Sequence, residues 1–175
     1  MLGERLRDRV EELIGRYVAR MRSDPNIPLA KDLAQPVLED HAMSFLGDLF
    51  QSVVILERAT ELKNLDESYL LKDGTHIQRL IADLHGRQRY SMGFTESALR
   101  REYEILDAEV AALLKRQSSA DVAEHVGWAN EYLKHLLDRA HKASFAGYRA
   151  AARESRPEEE EEEEAQTESE EAAAS

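Results

Sequence analysis

His85-Gly-Arg-Gln-Arg-Tyr-Ser-Met-Gly93 sets a glycine inside a helical pattern, flanks it with a histidine and two arginines, and ends on a second glycine where the pattern stops. Ile77, Leu80, Ile81, Leu84 and Gln88 run into it on one helical face, and Leu99, Tyr103, Leu106, Val110 and Leu113 continue from it on another. Gly86 inside a helix costs about 1 kcal/mol relative to Ala, so close approach of another backbone is the expected compensation. Gly93 suits the left-handed residue that closes a helix, and Thr95 suits the N-cap of the next. So short a link implies an antiparallel helical hairpin. His85 and Arg89, four residues apart, share a face, and Glu102 stands at the matching height across the hairpin. An Arg89–Glu102 ion pair with His85 alongside would lock the two helices, so the stretch reads as a joint before it reads as a ligand site.

Upstream, Leu2, Leu6, Val10, Leu13, Ile14, Tyr17, Val18 and Met21 recur at steps of three and four, which predicts a first amphipathic helix. Ser23-Asp-Pro-Asn-Ile-Pro28 breaks it. A second helix is expected from near Leu33, with Pro36 in its first turn. Its two apolar stripes run Leu38, Ala42, Phe45, Leu49, Val53, Leu56 and Met43, Leu46, Phe50, Val54, which predicts the most buried element. Apolar density falls between Thr60 and Lys72, a connector, and Asp73-Gly74-Thr75 reads as a turn and helix start. Downstream of the hairpin, Gln117-Ser-Ser119 is a break that opens a fifth helix reaching about Ala152. Its heptad seam of Val122, Val126, Ala129, Leu133, Leu136, Ala140, Ala143 and Gly147 narrows toward the C-terminus, the pattern of a close helix pair. The first six of these are expected to form a homodimer seam. The expected fold is all-α, a bundle of about five helices over residues 1–153, followed by a disordered acidic tail over 154–175.

That tail decides how the charge is read. The chain of 175 residues has a formal net charge of −12, but the segment from Glu154 holds eleven acids and one arginine, so residues 1–153 are near neutral at −2. A near-neutral body leaves no nucleic-acid footprint. Seven consecutive glutamates, Glu158 to Glu164, repel one another and have no apolar surface to bury. Such a tail is a solubilising segment or, as an alternative, the handle by which a structural adaptor binds a basic partner. The absence of cysteine excludes disulfides, thiolate metal sites and cysteine nucleophiles. Neither a signal-peptide apolar core nor an apolar run of membrane-spanning length is present, so a cytoplasmic protein without membrane contact is expected.

Catalytic patterns are missing. The sequence has no phosphate-binding glycine loop, no nucleophile elbow, no H-E-x-x-H and no Glu-x-x-His pair of the di-iron bundles. No enzyme, no metal and no cofactor is the expectation. The alternative is haem, which needs only a proximal histidine and an apolar pocket. His85 and His41 would then be the candidates for that ligand and the protein a gas sensor, although His41 beside the buried stripe reads first as a hydrogen-bonded structural residue.

The run Ile77 to Phe94, followed by Leu99-Arg-Arg-Glu-Tyr-Glu-Ile-Leu106, resembles the N-terminal sensor domain of RsbT co-antagonist proteins of the RsbR and RsbRD type, a domain also found ahead of bacterial sensor histidine kinases. His85, Gly86, Arg89, Gly93, Glu102, Tyr103 and Leu106 carry the likeness, which covers about residues 75–116 in detail and 1–150 in helical pattern. Asp107 departs from it, since a basic residue often follows that leucine. The resemblance implies a globin-related, non-catalytic signal-input domain that dimerises and acts on signalling proteins such as kinases or anti-sigma-factor antagonists in a stress or two-component pathway. The phosphorylatable output module of such proteins does not follow here, so a stand-alone input domain is implied.

Overall fold

In a computed structural model, described for residues 1–39, 42–62, 67–119 and 123–155 (side chains at 59–62, 67–75 and 123–124 excepted), the chain is all-α, with no strand among the described residues. The helices are α1 (Leu2–Arg7), α2 (Val10–Ser23), α3 (Gln35–Glu39), α4 (Ala42–Leu62), α5 (Glu67–Ser91), α6 (Glu96–Gln117) and α7 (Ala123–Glu154), with a 3-10 turn at Pro28–Lys31. His41, Val122 and the glutamate-rich segment beyond Ser155 lie outside the described residues.

Three boundaries differ from the periodicity. The first apolar stripe is interrupted at Asp8 and Arg9, so that α1 packs on α4 while α2 packs on α6. A carboxylate makes the first contact firm: buried Glu57 accepts from the amides of Leu2 and Gly3 at 2.9 and 2.8 Å, covering helix-start donors that have no partner within their own helix. The second stripe is likewise divided between α3 and α4. Asp73-Gly74-Thr75 is neither a turn nor a start, because α5 passes through it. One glycine costs a helix about 1 kcal/mol, and each residue of continued helix adds a backbone hydrogen bond.

The joint at the hairpin forms as its residues dictate. Gly93 has φ +83° and Thr95 Oγ1 accepts from the Ala98 amide at 3.1 Å, capping α6. Tyr148 Oη donates to the Phe94 carbonyl at 2.7 Å and ties the turn to α7. Helix α6 returns antiparallel to α5, and α7 then runs parallel to α5. Their crossing is made by two glycines: a Cβ on Gly86 would collide with the Ser144 carbonyl, and one on Gly147 with the Asp83 carbonyl.

Helix α6 is central, touching α1, α2, α5 and α7. It shares with α4 the deep burial expected of the second helix alone. The heptad seam of α7 faces this core. Ala129, Leu133, Leu136 and Ala140 are buried within the single chain, Val126 packs beside them, and Val122 lies outside the described residues. The seam is therefore an intramolecular one, and the expected dimer contact through it is corrected. The close helix pair signalled by its small residues is α5 with α7 of the same chain. By contrast, Ile77, Leu80 and Leu84 of α5, expected to line an amphipathic face, point away from α7 and are 54, 52 and 57% exposed. No helix among the described residues is long and apolar enough to cross a membrane.

Candidate functional site

Arg89 has no solvent exposure, and Glu102 is almost as completely enclosed. The stem of Arg89 leaves α5 toward α6, where Nε and Nη2 donate to Glu102 Oε2 and Oε1 at 3.0 and 2.9 Å. A fork of two parallel bonds suits guanidinium and carboxylate geometry and is stronger than neutral pairing. The rest of the guanidinium is spent on backbone: Nη1 donates to the Val37 carbonyl at 3.0 Å and Nη2 to the Leu38 carbonyl at 3.2 Å, both at the end of α3. The Phe94 ring lies 5.1 Å from its central carbon.

Glu102 collects two further donors. Tyr17 Oη of α2 donates to Oε1 at 2.6 Å, and His85 Nε2 of α5 lies 3.2 Å from the same oxygen. Burial drives this carboxyl toward protonation, but the charges of His85 and Arg89 and the hydrogen bonds they donate outweigh it and hold Glu102 well below the usual carboxylate range. Tyr17 moves the other way, pushed well up by burial and by the adjacent Glu102 charge. The cluster thus sets the Arg89 cation and a histidine whose charge acts in the same direction against one carboxylate anion, with a neutral phenol beside them.

A cavity of about 40 Å³ opens next to this cluster, lined by Tyr17, Ala42, Phe45, Ile81, Ala82, His85, Glu102, Tyr103 and Leu106. His85 stands edge-on to Tyr103, which in turn stacks on His141 at 4.7 Å. Four of the sequence-predicted residues, His85, Glu102, Tyr103 and Leu106, therefore share one wall, and Arg89 backs it. Gly86 is on the far side of α5 against α7, and Gly93 makes the turn, so their role is in packing. Asp107 belongs elsewhere, at a groove between α6 and α7 with Val110, Lys134 and Leu137.

The site does not fit haem. Ligand pockets run to about 300 Å³ and beyond, several times this cavity, and the Nε2 of His85 is turned onto Glu102. His41, the other candidate, lies outside the described residues. Among the described residues no group of three or more His, Asp or Glu could hold a metal ion. A volume of about 40 Å³ has room for a few waters and nothing larger.

No protein-family model, no curated protein and no solved structure matches this chain. The arrangement must be read from its own residues.

Those residues include several the sequence did not single out. Tyr17 was legible only as part of an apolar stripe, although a buried tyrosine hydroxyl usually has a partner to find. The α3 carbonyls that hold Arg89 carry no sequence signal at all.

Proposed function

We propose that this chain is a non-catalytic signal-input domain of the RsbRD N-terminal type, acting through self-association and contact with signalling proteins inside a bacterial cell. The observation that supports it best is the buried Arg89–Glu102 pair, joined by Tyr17, His85 and the end of α3. Four elements meet there: α2, α3, α5 and α6. A change of charge or occupancy beside His85 would act on all four at once, which is the property an input domain requires.

The chemistry of the cluster favours regulation over catalysis. A general base works best with a pKa near the working pH, whereas Glu102 is held strongly anionic and its oxygens accept from three side chains. Tyr17, pushed up, would be an equally poor proton donor at neutral pH. His85 is the one ionisable group at the cavity with solvent access, its side chain 15% exposed. It is the natural point at which a signal enters.

The test is a chimera in which residues 1–155 replace the native input domain ahead of a phosphorylatable anti-sigma-antagonist module, read with a stress-promoter reporter. Stimulus-dependent output that His85→Gln abolishes, while the helical signal and melting temperature persist, is the expected result. A folded chimera whose output never varies across a panel of stresses would overturn the proposal.

A further inference from the structure

Gln78 is a polar residue in a place that packing would give to an apolar one. It stands on α5 one turn before the buried Ala82 and is itself only 8% exposed. Its carboxamide has no hydrogen-bond partner among the described residues. A buried amide left unpaired costs about 1–3 kcal/mol, so such a group asks what it meets. It meets a cleft of about 30 Å³ between α5 and α7, where Gln78 and Arg79 of one helix face Leu136, Arg139 and Ala140 of the other.

The two arginines are equally unclaimed. Neither has a carboxylate within ion-pair distance among the described residues, whereas Arg87, Arg101 and Arg149 nearby on the same helices and on α6 are all paired. On a helix the neighbours that count are three and four residues away. Around Arg139 these include His135 and Lys142 and no acid. Around Arg79 the one acid is Asp83, which Arg87 engages at 3.0 Å. The cleft is therefore cationic, and nothing in its own helices neutralises it.

We infer that this cleft binds the phosphoryl group of a small molecule, with one oxygen lodged against Gln78 and the others held between Arg79 and Arg139. The site is separate from the cluster at His85 and stands without the role proposed there. Size and charge select the group. A water needs about 10–15 Å³ on this measure, so the cleft takes an oxygen or two and the remainder lies at its mouth, where both arginines are exposed. Each guanidinium offers a planar fork of donors that matches phosphate or carboxylate. Two of them together balance about −1.5 to −2 on one compact group, the charge of a phosphate monoester at pH 7, which a single carboxylate does not carry. The carboxamide adds a donor for one oxygen and an acceptor for a remaining P–OH. Leu136 and Ala140, both buried, give the cleft an apolar wall. An anion held there bridges α5 to α7, so binding should stabilise the folded chain.

The full chain is to be titrated by calorimetry with inorganic phosphate, with glycerol phosphate and with succinate, at one ionic strength set by sodium chloride. Saturable binding of one phosphate-bearing probe per chain, with a rise in melting temperature, is the expected result. Gln78→Leu removes the amide and keeps the bulk; it and the exposed-site variants Arg79→Gln and Arg139→Gln should each weaken binding at least tenfold in folded protein. Lys115→Gln, the same loss of charge at an exposed residue of α6 that does not line the cleft, should leave binding as it is. Tighter binding of glycerol phosphate assigns the site to an organic ester and equal binding to the free anion, and both support it. No saturable binding of either phosphate probe would overturn the inference. So would an equal loss in Lys115→Gln, which marks diffuse attraction, or succinate binding more tightly than both, which marks a carboxylate site. None of these results touches the His85 cluster, whose role is read separately in the chimera.

Discussion

Arg89 and Glu102 show how a buried charge pair behaves when one partner is removed. Truncating Arg89 to Ala leaves an uncompensated carboxylate in the core, and the expected loss is about 3–5 kcal/mol in urea unfolding. Replacing both, as Arg89→Met with Glu102→Leu, removes two desolvated charges together and should recover a large part of that loss. The double variant also tests specificity, because the α3 carbonyls and Tyr17 would lose their donor and acceptor. The pair implies a pH dependence with a definite sign. Glu102 ionises more readily when folded than its ordinary value of 4.5, so the unfolded chain binds the proton first. The stability it contributes is complete above about pH 5 and declines as pH falls through 4.5 and below. Glu109, buried between Arg16 and Arg20, has its ionisation favoured in the same direction because those hydrogen bonds and charges outweigh its burial, so wild type alone cannot isolate the effect. Unfolding free energy measured from pH 6 to 3 should therefore fall less steeply in Glu102→Gln than in wild type. The ion pair was legible because a hairpin of known turn length fixes which residues face each other. Glu57 and Glu109 were not, since an acid within an apolar stripe gives no sign of which distant amide or arginine will meet it.

Among the helices, glycines separate two outcomes of one substitution. At Gly86 a methyl group would strike the Ser144 carbonyl, a backbone atom that cannot swing aside, and α5 would have to lift from α7. Overpacking costs about 1–3 kcal/mol and occasionally more, which outweighs the roughly 1 kcal/mol that alanine gains in helix propensity. Gly86→Ala should lower stability. At Gly47 of α4 nothing lies within 4 Å of the added carbon, so only the propensity remains. Gly47→Ala should raise stability by about 0.5–1 kcal/mol, checked by thermal melting of both variants side by side. A costly glycine at a helical position signals that something approaches, but not what. The break at Asp8 and Arg9 left no such trace. Its cause is tertiary, the different neighbours of α1 and α2.

At the scale of the whole molecule, periodicity identified an all-helical body and the hairpin order of its centre. It could not assign partners to α7, whose seam reads equally well against a second copy or against this chain. Burial decides for the latter. Leu133→Ala should therefore behave as a core truncation, costing about 2–5 kcal/mol in unfolding, and should leave any dissociation constant between copies unchanged in folded protein. The face that stays exposed is the one on α5, which the sequence presented as an ordinary amphipathic stripe. The same ambiguity produced both readings, because apolar spacing records that a face is covered and not by which neighbour.

Helix α3 is five residues long, far below the ~12–15 at which an isolated helix begins to hold in water. Its terminal carbonyls at Val37 and Leu38 are held by Arg89, 52 and 51 residues along the chain. Its order is borrowed. Whatever loosens the guanidinium should let this turn open long before the bundle unfolds, and its amides should then exchange hydrogen for deuterium at a subglobal rate. The stretch from Gln35 to Glu39 would thus serve as a latch whose release reports the ionisation of a carboxylate it never touches directly, that of Glu102.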